Sequence, residues 1–192
     1  MNEEMAWVAR AKQGSDEAFT QLVEAFQKPV YNLCYRMLGE PEAAEDAAQE
    51  TFLRAYQHFN SYDQTRPFAT WLLSIAAHYC IDRRRRVKFS MFSIELEDEG
   101  SFQLPDADAP NPESEVLQQE QREQIQALLN CLGALDRAAI VLHYMQNYSE
   151  AEIALILDLT ANAVKSRLHR ARQISRRQIV NGYQLLGKEV CL

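Results

Sequence analysis

The chain has 192 residues, of which 47% are hydrophobic and 24% charged, and its formal net charge is −7. This length suffices for one ordinary domain or two small ones, and no run approaches the roughly twenty apolar residues of a membrane-spanning helix. The acidic opening at residues 1–4 lacks the basic and apolar parts of a signal peptide, so we expect a cytoplasmic protein. Four scattered cysteines form no C-x-x-C pair and no Cys/His set with metal-ligand spacing, so we expect neither a metal site nor a bound cofactor.

The start of the chain shows helical patterns with clear interruptions. A short pattern over residues 3–13 stops at a glycine, and Ser15 or Asp16 can cap a second helix. Pro29 is expected to kink or restart that helix, because proline has no N–H to donate. The segment 39–41, Gly-Glu-Pro, predicts its end.

A helix with two different faces is predicted after Pro41. Alanine and aromatic residues recur at helical spacing on one side, which indicates a face turned to a core. The opposite side has a polar ridge around one leucine that the helix cannot bury by itself, and such a surface suits a partner helix. We call this surface the acidic ridge; its residues are Asp46, Gln49, Glu50 and Leu53.

A polar loop and a further helix follow. The periodicity stops after Phe59 and resumes behind Pro67, which predicts two helices flanking a short loop. The second of these helices ends in four consecutive arginines at 83–86. Such a run can bind phosphates, and it is equally consistent with a solvated helix end favoured by the helix dipole.

Residues 89–114 differ in composition from the rest of the chain. They include seven acidic residues and three prolines but no lysine or arginine, which predicts an extended, self-repelling linker. Large apolar residues in the same segment leave open a second interpretation, in which part of it docks on a partner; among them are Met91, Phe92, Ile94, Phe102 and Leu104.

The remaining chain predicts a helix-turn-helix motif. A helical pattern covers residues 113–132, and Asp136 is expected to cap the next helix. Ser149 and Glu152 have the spacing of a capping box. Two apolar helix faces then flank a turn at Asp158, where aspartate tolerates a left-handed backbone.

The second helix of this motif offers a face for DNA. Seven basic residues and no acid lie between Leu159 and Lys188, and Thr160 is expected to cap the helix at an end that favours phosphate. The spacing places Asn162, Lys165, Ser166, His169, Arg170 and Gln173 on that face, with Arg172 beside them.

The segments DAAQETFLRAY and FATWLLSIAAHYCIDRRRR resemble the core-binding and promoter-melting segments of bacterial sigma factors, in particular of the extracytoplasmic-function (ECF) group. The segment AVKSRLHRAR resembles the same group's reader of the minus-thirty-five element. The resemblance implies an all-α fold of two small helical domains, a sigma-two-like bundle and a sigma-four-like helix-turn-helix. We expect these domains at residues 1–88 and 115–192, joined by the acidic linker at 89–114.

The resemblance also implies partners. The acidic ridge would dock on the clamp helices of the largest subunit of core RNA polymerase, and the flap of the second-largest subunit would be a further contact. Promoter DNA is the second partner, and an anti-sigma factor the third. The residues implied in minus-ten recognition are Tyr62, Asp63, Arg66, Trp71, His78, Arg83, Arg84, Arg85 and Arg86.

Two details of the minus-ten segment bear on its mechanism. Tyr62, Phe68 and Trp71 are candidates to stack on unpaired bases, each stack being worth roughly 1–3 kcal/mol, although Trp71 also has the spacing of a core residue. His78 stands where many members of the group carry asparagine, which bears on base preference.

The implied function is promoter-specific transcription initiation without catalysis. The alternative is a stand-alone helix-turn-helix transcriptional regulator, because that motif by itself occurs in many unrelated proteins. An enzyme is the third class. It has little support, since the four histidines lack metal-site spacing and no glycine-rich phosphate loop occurs.

Overall fold

The computed structural model describes residues 3–93 and 112–189, with side chains over 3–87, at 119 and over 121–178. Within these ranges the chain is helical, and a 3-10 turn at Phe59–Ser61 and a π-helical turn at Val141–Met145 interrupt the α-helices. The α-helices are α1 (Glu3–Lys12), α2 (Asp16–Leu38), α3 (Pro41–His58), α4 (Phe68–Ser93), α5 (Pro112–Asn130), α6 (Ala134–Ile140), α7 (Glu150–Leu157) and α8 (Ala161–Glu189). The predicted all-α fold is confirmed.

Helices α1 to α4 form an N-terminal domain in which α2 packs against the other three. Ser15 caps α2 by accepting a hydrogen bond from the backbone N–H of Ala18, and Gly39 ends the helix with a left-handed φ of 93°. Pro29 does not restart the helix, because α2 continues through it to Leu38. Of the two effects expected of Pro29, the restart does not occur.

Helices α7 and α8 form the predicted helix-turn-helix. The capping box is present: Ser149 Oγ accepts from the N–H of Glu152, and the N–H of Ser149 donates to the Glu152 carboxylate at 2.8 Å. Asp158 ends α7 with a φ of 51°, and Thr160 Oγ1 accepts from the N–H of Ala163 at the start of α8. The motif is therefore specified by contacts between near neighbours in sequence.

Asp136 does not have the capping role that its sequence position suggested. Gly133 occupies the N-cap of α6, and Asp136 lies in the first turn with its carboxylate buried. This carboxylate accepts a hydrogen bond from Arg167 Nη1 at 2.9 Å, so it ties α6 to α8. The pairing could not be predicted locally, since the two residues are 31 positions apart.

The helices cross the expected domain boundaries. Helix α4 runs to Ser93, past the domain end expected at residue 88. Helix α5 begins at Pro112, close to the helix start expected at residue 113 but before the domain start expected at residue 115. The central part of the predicted linker, residues 94–111, lies outside the described residues, so the prediction that it is extended and acidic stays a prediction.

The two helical domains pack against each other. Helix α4 of the N-terminal domain contacts α6 and α7 of the C-terminal domain, and α2 contacts α5 and α6. Gln146 Nε2 donates to the carbonyl of Pro29 at 2.9 Å, and Arg137, fully buried, donates to the carbonyl of Arg36. The structure is thus a closed arrangement in which polar side chains of one domain bind backbone groups of the other.

Candidate nucleic-acid and partner interfaces

The acidic ridge lies on the surface of α3, as predicted. Leu53 is 51% exposed, although it is a large apolar residue, and Gln49 is also exposed. Glu50 pairs with Arg54 at 2.7 Å within the same helix, and Asp46 lies 3.7 Å from Arg83 of α4. The ridge therefore combines one accessible leucine with charges that folding does not bury.

The aromatic residues around the loop form a core cluster instead of a stacking surface. Tyr62 is 4% exposed, with its ring 4.8 Å from that of Trp71, and Phe68 is 2% exposed. The Tyr62 hydroxyl donates to the carbonyl of Arg66, and burial raises the pKa of Tyr62. The prediction that Tyr62 offers its ring to an unpaired base does not fit this structure, because the cluster already covers the ring.

The loop itself is shaped by Asp63. Its carboxylate accepts from the N–H of Thr65 at 2.9 Å and from the Thr65 hydroxyl at 2.7 Å, and these two bonds lower the pKa of Asp63. Arg66 follows at the surface and donates its backbone N–H to the Asp63 carbonyl. Asp63 therefore holds the turn, while the Arg66 side chain remains accessible.

A shallow groove of about 360 Å³ lies between α3 and α4. His78 is on its wall, exposed, with Nδ1 2.7 Å from the carbonyl of Ser74, and the half-buried Trp71 lies close by. Arg54 contributes from α3 and lies 5.0 Å from the ring of Tyr79. Flat rings beside a cation and a histidine form a surface that can hold an aromatic base.

The four arginines at 83–86 do not act as one patch. Arg85 and Arg86 are exposed, and Arg85 pairs weakly with Asp82 at 3.9 Å. Arg84 instead turns inward and donates through Nη1 to the carbonyl of Met37 at 3.0 Å, and burial lowers the pKa of Arg84. The prediction that all four bind DNA must therefore be corrected for Arg84, which helps hold the fold.

The predicted DNA face of α8 is exposed along its length. Val164, Leu168 and Ala171 are buried against the rest of the domain, which turns the opposite side outward. The residues on that exposed side are Asn162, Lys165, Ser166, His169, Arg170, Arg172 and Gln173. Helix α8 therefore presents polar and basic side chains suited to a DNA groove.

Some residues of this face have partners within the protein. Lys165 Nζ lies 3.8 Å from the Glu150 carboxylate, both being partly exposed, which is a weak contact that DNA can replace. Arg170 lies 3.6 Å from the buried carboxylate of Asp136, which Arg167 also binds. Arg170 is thus oriented by a buried carboxylate, whereas Lys165, near the start of the face, has only a weak contact with a partly exposed one.

Sequence comparison decides the family. Residues 22–89 match the model of sigma-70 region 2, and residues 122–174 match that of sigma-70 region 4. The chain is 38% identical over 177 residues to the ECF RNA polymerase sigma factor SigW of Bacillus subtilis, covering 90% of this chain and 94% of that protein. The chain belongs to the ECF sigma factors. It therefore directs promoter-specific transcription initiation by RNA polymerase, which replaces the alternative of a stand-alone regulator.

Solved structures share the fold of this sigma factor. CnrH in complex with the cytosolic domain of CnrY is 24% identical, with a TM-score of 0.68 over 94% of this chain and 99% of that one. The sigma factor RpoE from Bartonella quintana, in complex with the anti-sigma factor NepR, is 21% identical, with a TM-score of 0.64 over 84% and 96% of the two chains.

Several residues of the sigma factor's surfaces escaped sequence reasoning. Arg54 and Tyr79 line the groove beside His78, but they come from different helices whose packing decides their proximity. Asp136 of α6 forms an ion pair with Arg170 of α8, and this contact also depends on how the helices pack. For Arg54 the sequence did offer one signal: its four-residue spacing from Glu50 places it next to the acidic ridge on α3.

Metal-binding clusters and membrane-spanning helices are both absent from the described part of the sigma factor. No group of three or more His, Cys, Asp or Glu residues there is arranged to hold a metal ion. None of the helices in that part combines the length and the apolar character needed to cross a membrane.

Proposed function

We propose that the acidic ridge of α3 carries the affinity for core RNA polymerase. The support is Leu53, which is half exposed between polar residues on a helix face that the domain core does not use. An apolar anchor with a charged surround is the usual composition of a binding hot spot. The clamp helices of the largest subunit are the proposed docking site, and the flap of the second-largest subunit a further contact.

Promoter recognition is assigned to two faces. The minus-ten face comprises the groove with His78 and Trp71, the loop residues Asp63 and Arg66, the partly buried Arg83, and the exposed arginines Arg85 and Arg86. The minus-thirty-five face is the outward side of α8. The observation that carries this proposal is the exposure of the entire α8 face opposite Val164 and Leu168, which leaves hydrogen-bonding groups available to a major groove.

Reading both elements requires the domains to separate. The two promoter elements are roughly 25 base pairs apart, which at about 3.4 Å per pair is a distance of roughly 85 Å. In the closed arrangement α4 touches α7, the first helix of the helix-turn-helix. We therefore propose that binding to polymerase opens the molecule and places α4 and α8 on different parts of the promoter.

An anti-sigma factor is the proposed regulator, because two proteins of the same fold were solved with partners that include an anti-sigma factor. The proposed role is non-catalytic, since binding and positioning suffice for every step assigned here. Its place is the cytoplasm, where core polymerase and chromosome meet.

Reconstituted transcription tests the proposal. Purified protein added to core polymerase should yield transcripts with discrete start sites, each preceded by the same pair of elements. Core polymerase alone and the protein alone are the controls. Start sites that do not share both elements, or operator binding that polymerase does not strengthen, would contradict the assignment of two promoter faces.

A further inference from the structure

The junction of the two domains contains a cleft of about 690 Å³. Its walls are the second half of α4, the corner between α2 and α3, and the corner between α5 and α6 together with α8. Of the residues that line it, five are arginines and two are acidic, Glu40 and Asp136, which leaves a formal excess of three positive charges. The arginines are Arg83, Arg84, Arg85, Arg167 and Arg170.

The acidic residues outside the lining offset little of this excess, and Asp136 is already fully engaged. Both oxygens of the Asp136 carboxylate are occupied, by Arg167 at 2.9 Å and by Arg170 at 3.6 Å, and the side chain is only 8% exposed. Asp46 and Asp82, which lie outside the lining, approach Arg83 and Arg85 only at 3.7 and 3.9 Å. Such exposed, long pairs contribute little and give way to a stronger ligand.

Unsatisfied guanidinium groups surround the same junction. Within the described residues, Arg167 Nε, Arg36 Nη1 and Arg137 Nη2 are buried without a hydrogen-bond partner. Arg137 is fully buried directly behind the cleft, where its Nη1 donates to Asn130, a residue of the cleft wall. Buried cations without sufficient acceptors are costly. An anion in the cleft would lower that cost through its charge, without contacting these buried atoms.

The shape and lining point to a particular class of anion. A volume of several hundred Å³ between two domains is that of a small-molecule site, and it is too small for a length of double helix. Arginine forks match phosphate oxygens in a bidentate manner. The cleft also has an apolar wall, formed by Leu38, Ala43, Val87 and Leu132, against which a flat base could pack.

We propose that this cleft binds a compact polyphosphate, either free or as the phosphate chain of a nucleotide. The ligand would contact both domains at once, because Arg83, Arg84 and Arg85 belong to the N-terminal domain and Arg167 and Arg170 to the C-terminal one. It therefore stabilises the closed arrangement and opposes the separation that promoter binding requires. The inference makes this sigma factor responsive to a small phosphorylated molecule. Its binding step can be tested without promoter DNA, and its consequence rests on the proposed opening of the molecule.

Calorimetric titration of the full chain tests the site. The probes are adenosine triphosphate, inorganic triphosphate, adenosine and a ten-residue glutamate peptide. We expect one triphosphate per protein and at least tenfold weaker binding of adenosine and of the peptide. Equal affinity for the two triphosphates would identify free polyphosphate chemistry as sufficient, whereas tighter binding of adenosine triphosphate would assign the apolar wall to a base.

Three variants locate the binding. Arg167→Gln and Arg84→Gln change opposite walls, and each should weaken triphosphate binding at least tenfold. Arg10→Gln removes an equal charge from α1, away from the cleft, and should leave the affinity unchanged. No triphosphate binding to the unmodified chain, equal losses in all three variants, or a glutamate peptide that binds as tightly as triphosphate would each overturn the proposal.

The radius of gyration and the melting temperature test whether binding in the cleft stabilises the closed arrangement. Saturating triphosphate should leave the radius of gyration of the unmodified chain at its compact value and raise its melting temperature, while the melting temperature of Arg167→Gln should rise less. An expansion of the chain on binding would overturn the inference that the ligand bridges the two domains.

Discussion

Arg137 Nε of α6 donates a hydrogen bond to the backbone carbonyl of Arg36 in α2, 2.6 Å away across the domain boundary. Met37, the next residue of α2, receives Arg84 of α4 in the same way. The last carbonyls of a helix have no partner within it and form the negative end of its dipole, so they substitute for a carboxylate. The closed arrangement therefore depends on Arg137, whereas Arg84 ties α4 to α2 within the N-terminal domain.

Arg137 should control the closed arrangement. Burial, and then the neighbouring charges of Arg84 and Arg36, lower the pKa of Arg137 to about 9. Arg137→Ala leaves the Arg36 carbonyl and Asn130 without this donor, and we expect a loss of roughly 1–3 kcal/mol in the free energy of domain packing. X-ray scattering should show a larger radius of gyration at unchanged helicity by circular dichroism. Arg176→Ala, an exposed change on α8, is the control, and equal radii for the two variants would contradict this role.

The capping box of α7 gives a prediction about stability and pH. Hydrogen bonds from the Ser149 side chain and backbone lower the pKa of Glu152 below its ordinary value of 4.5. A carboxyl with a lowered folded-state pKa stabilises the fold above its unfolded value, and this contribution is lost as the pH falls through the folded value. Ser149→Ala should cost about 1 kcal/mol in the free energy of unfolding at neutral pH.

Urea unfolding of Ser149→Ala and the unmodified chain at a series of pH values checks this. The difference between them should shrink as Glu152 becomes protonated. Ser149→Thr keeps the hydroxyl and should retain most of the stability. A difference that stays constant down to low pH would show that the Glu152 half of the box contributes nothing.

The helix-turn-helix and the acidic ridge could be predicted because their determinants are local. Ser149 and Glu152 are three residues apart, Asp158 adopts its left-handed turn by itself, and helical spacing alone turns Leu53 away from the core. None of these predictions requires knowing where another helix packs. The predicted surfaces of α3 and α8 are therefore exposed where the sequence placed them.

The features that sequence reasoning missed depend on packing between helices. Tyr62 lies in the loop, yet α4 supplies Trp71 and α1 supplies Lys12, which donates to the Tyr62 carbonyl. Cys34 and Cys80 are 46 positions apart, but a hydrogen bond between them in the core raises the pKa of the Cys34 thiol. Spacing along one helix carries no information about such neighbours.

The acidic ridge should carry polymerase affinity without contributing to the fold. In the double variant Gln49→Ala and Leu53→Ala, both changes are exposed, so the free energy of unfolding should move by no more than about 0.5 kcal/mol. Affinity for core polymerase, measured by competition with the unmodified protein, should fall at least tenfold because the only large apolar side chain of the ridge is removed. Gln57→Ala, exposed on the same helix, is the control. Undiminished competition by the double variant would refute the docking role.

His78 should influence base choice in the minus-ten element. Its ring is exposed in the groove and anchored to the Ser74 carbonyl, so its Nε2 is directed away from the helix and available to a base. His78→Asn replaces this group with a shorter amide, which offers a donor and an acceptor together. Selection from a randomised minus-ten library should show a changed base at one position with similar total affinity. An identical preference would exclude His78 from base recognition.

Different residues of α8, the recognition helix, should provide base specificity and affinity for the phosphate backbone. Lys165 is near the N-terminal end of α8, which enters the groove first, and its contact with Glu150 at 3.8 Å is long enough to be exchanged for DNA. Arg176 is exposed about three turns further along, where only the phosphate backbone is within reach. Lys165→Ala should cost roughly 1–3 kcal/mol of binding free energy on the matched minus-thirty-five element and relax the base preference at one position. Arg176→Ala should weaken binding to all sequences alike and lower the salt dependence of the binding constant by about one unit of slope.

Holoenzyme binding at several salt concentrations, on matched and mutated minus-thirty-five elements, distinguishes these outcomes. The salt slope counts the phosphate contacts that are lost, and the ratio between matched and mutated elements counts the base contacts. Lys165→Ala should therefore change mainly the ratio and Arg176→Ala mainly the slope. Equal losses on every sequence for both variants would mean that α8 does not insert its N-terminal end into the groove, and the assignment of the minus-thirty-five face would have to be withdrawn.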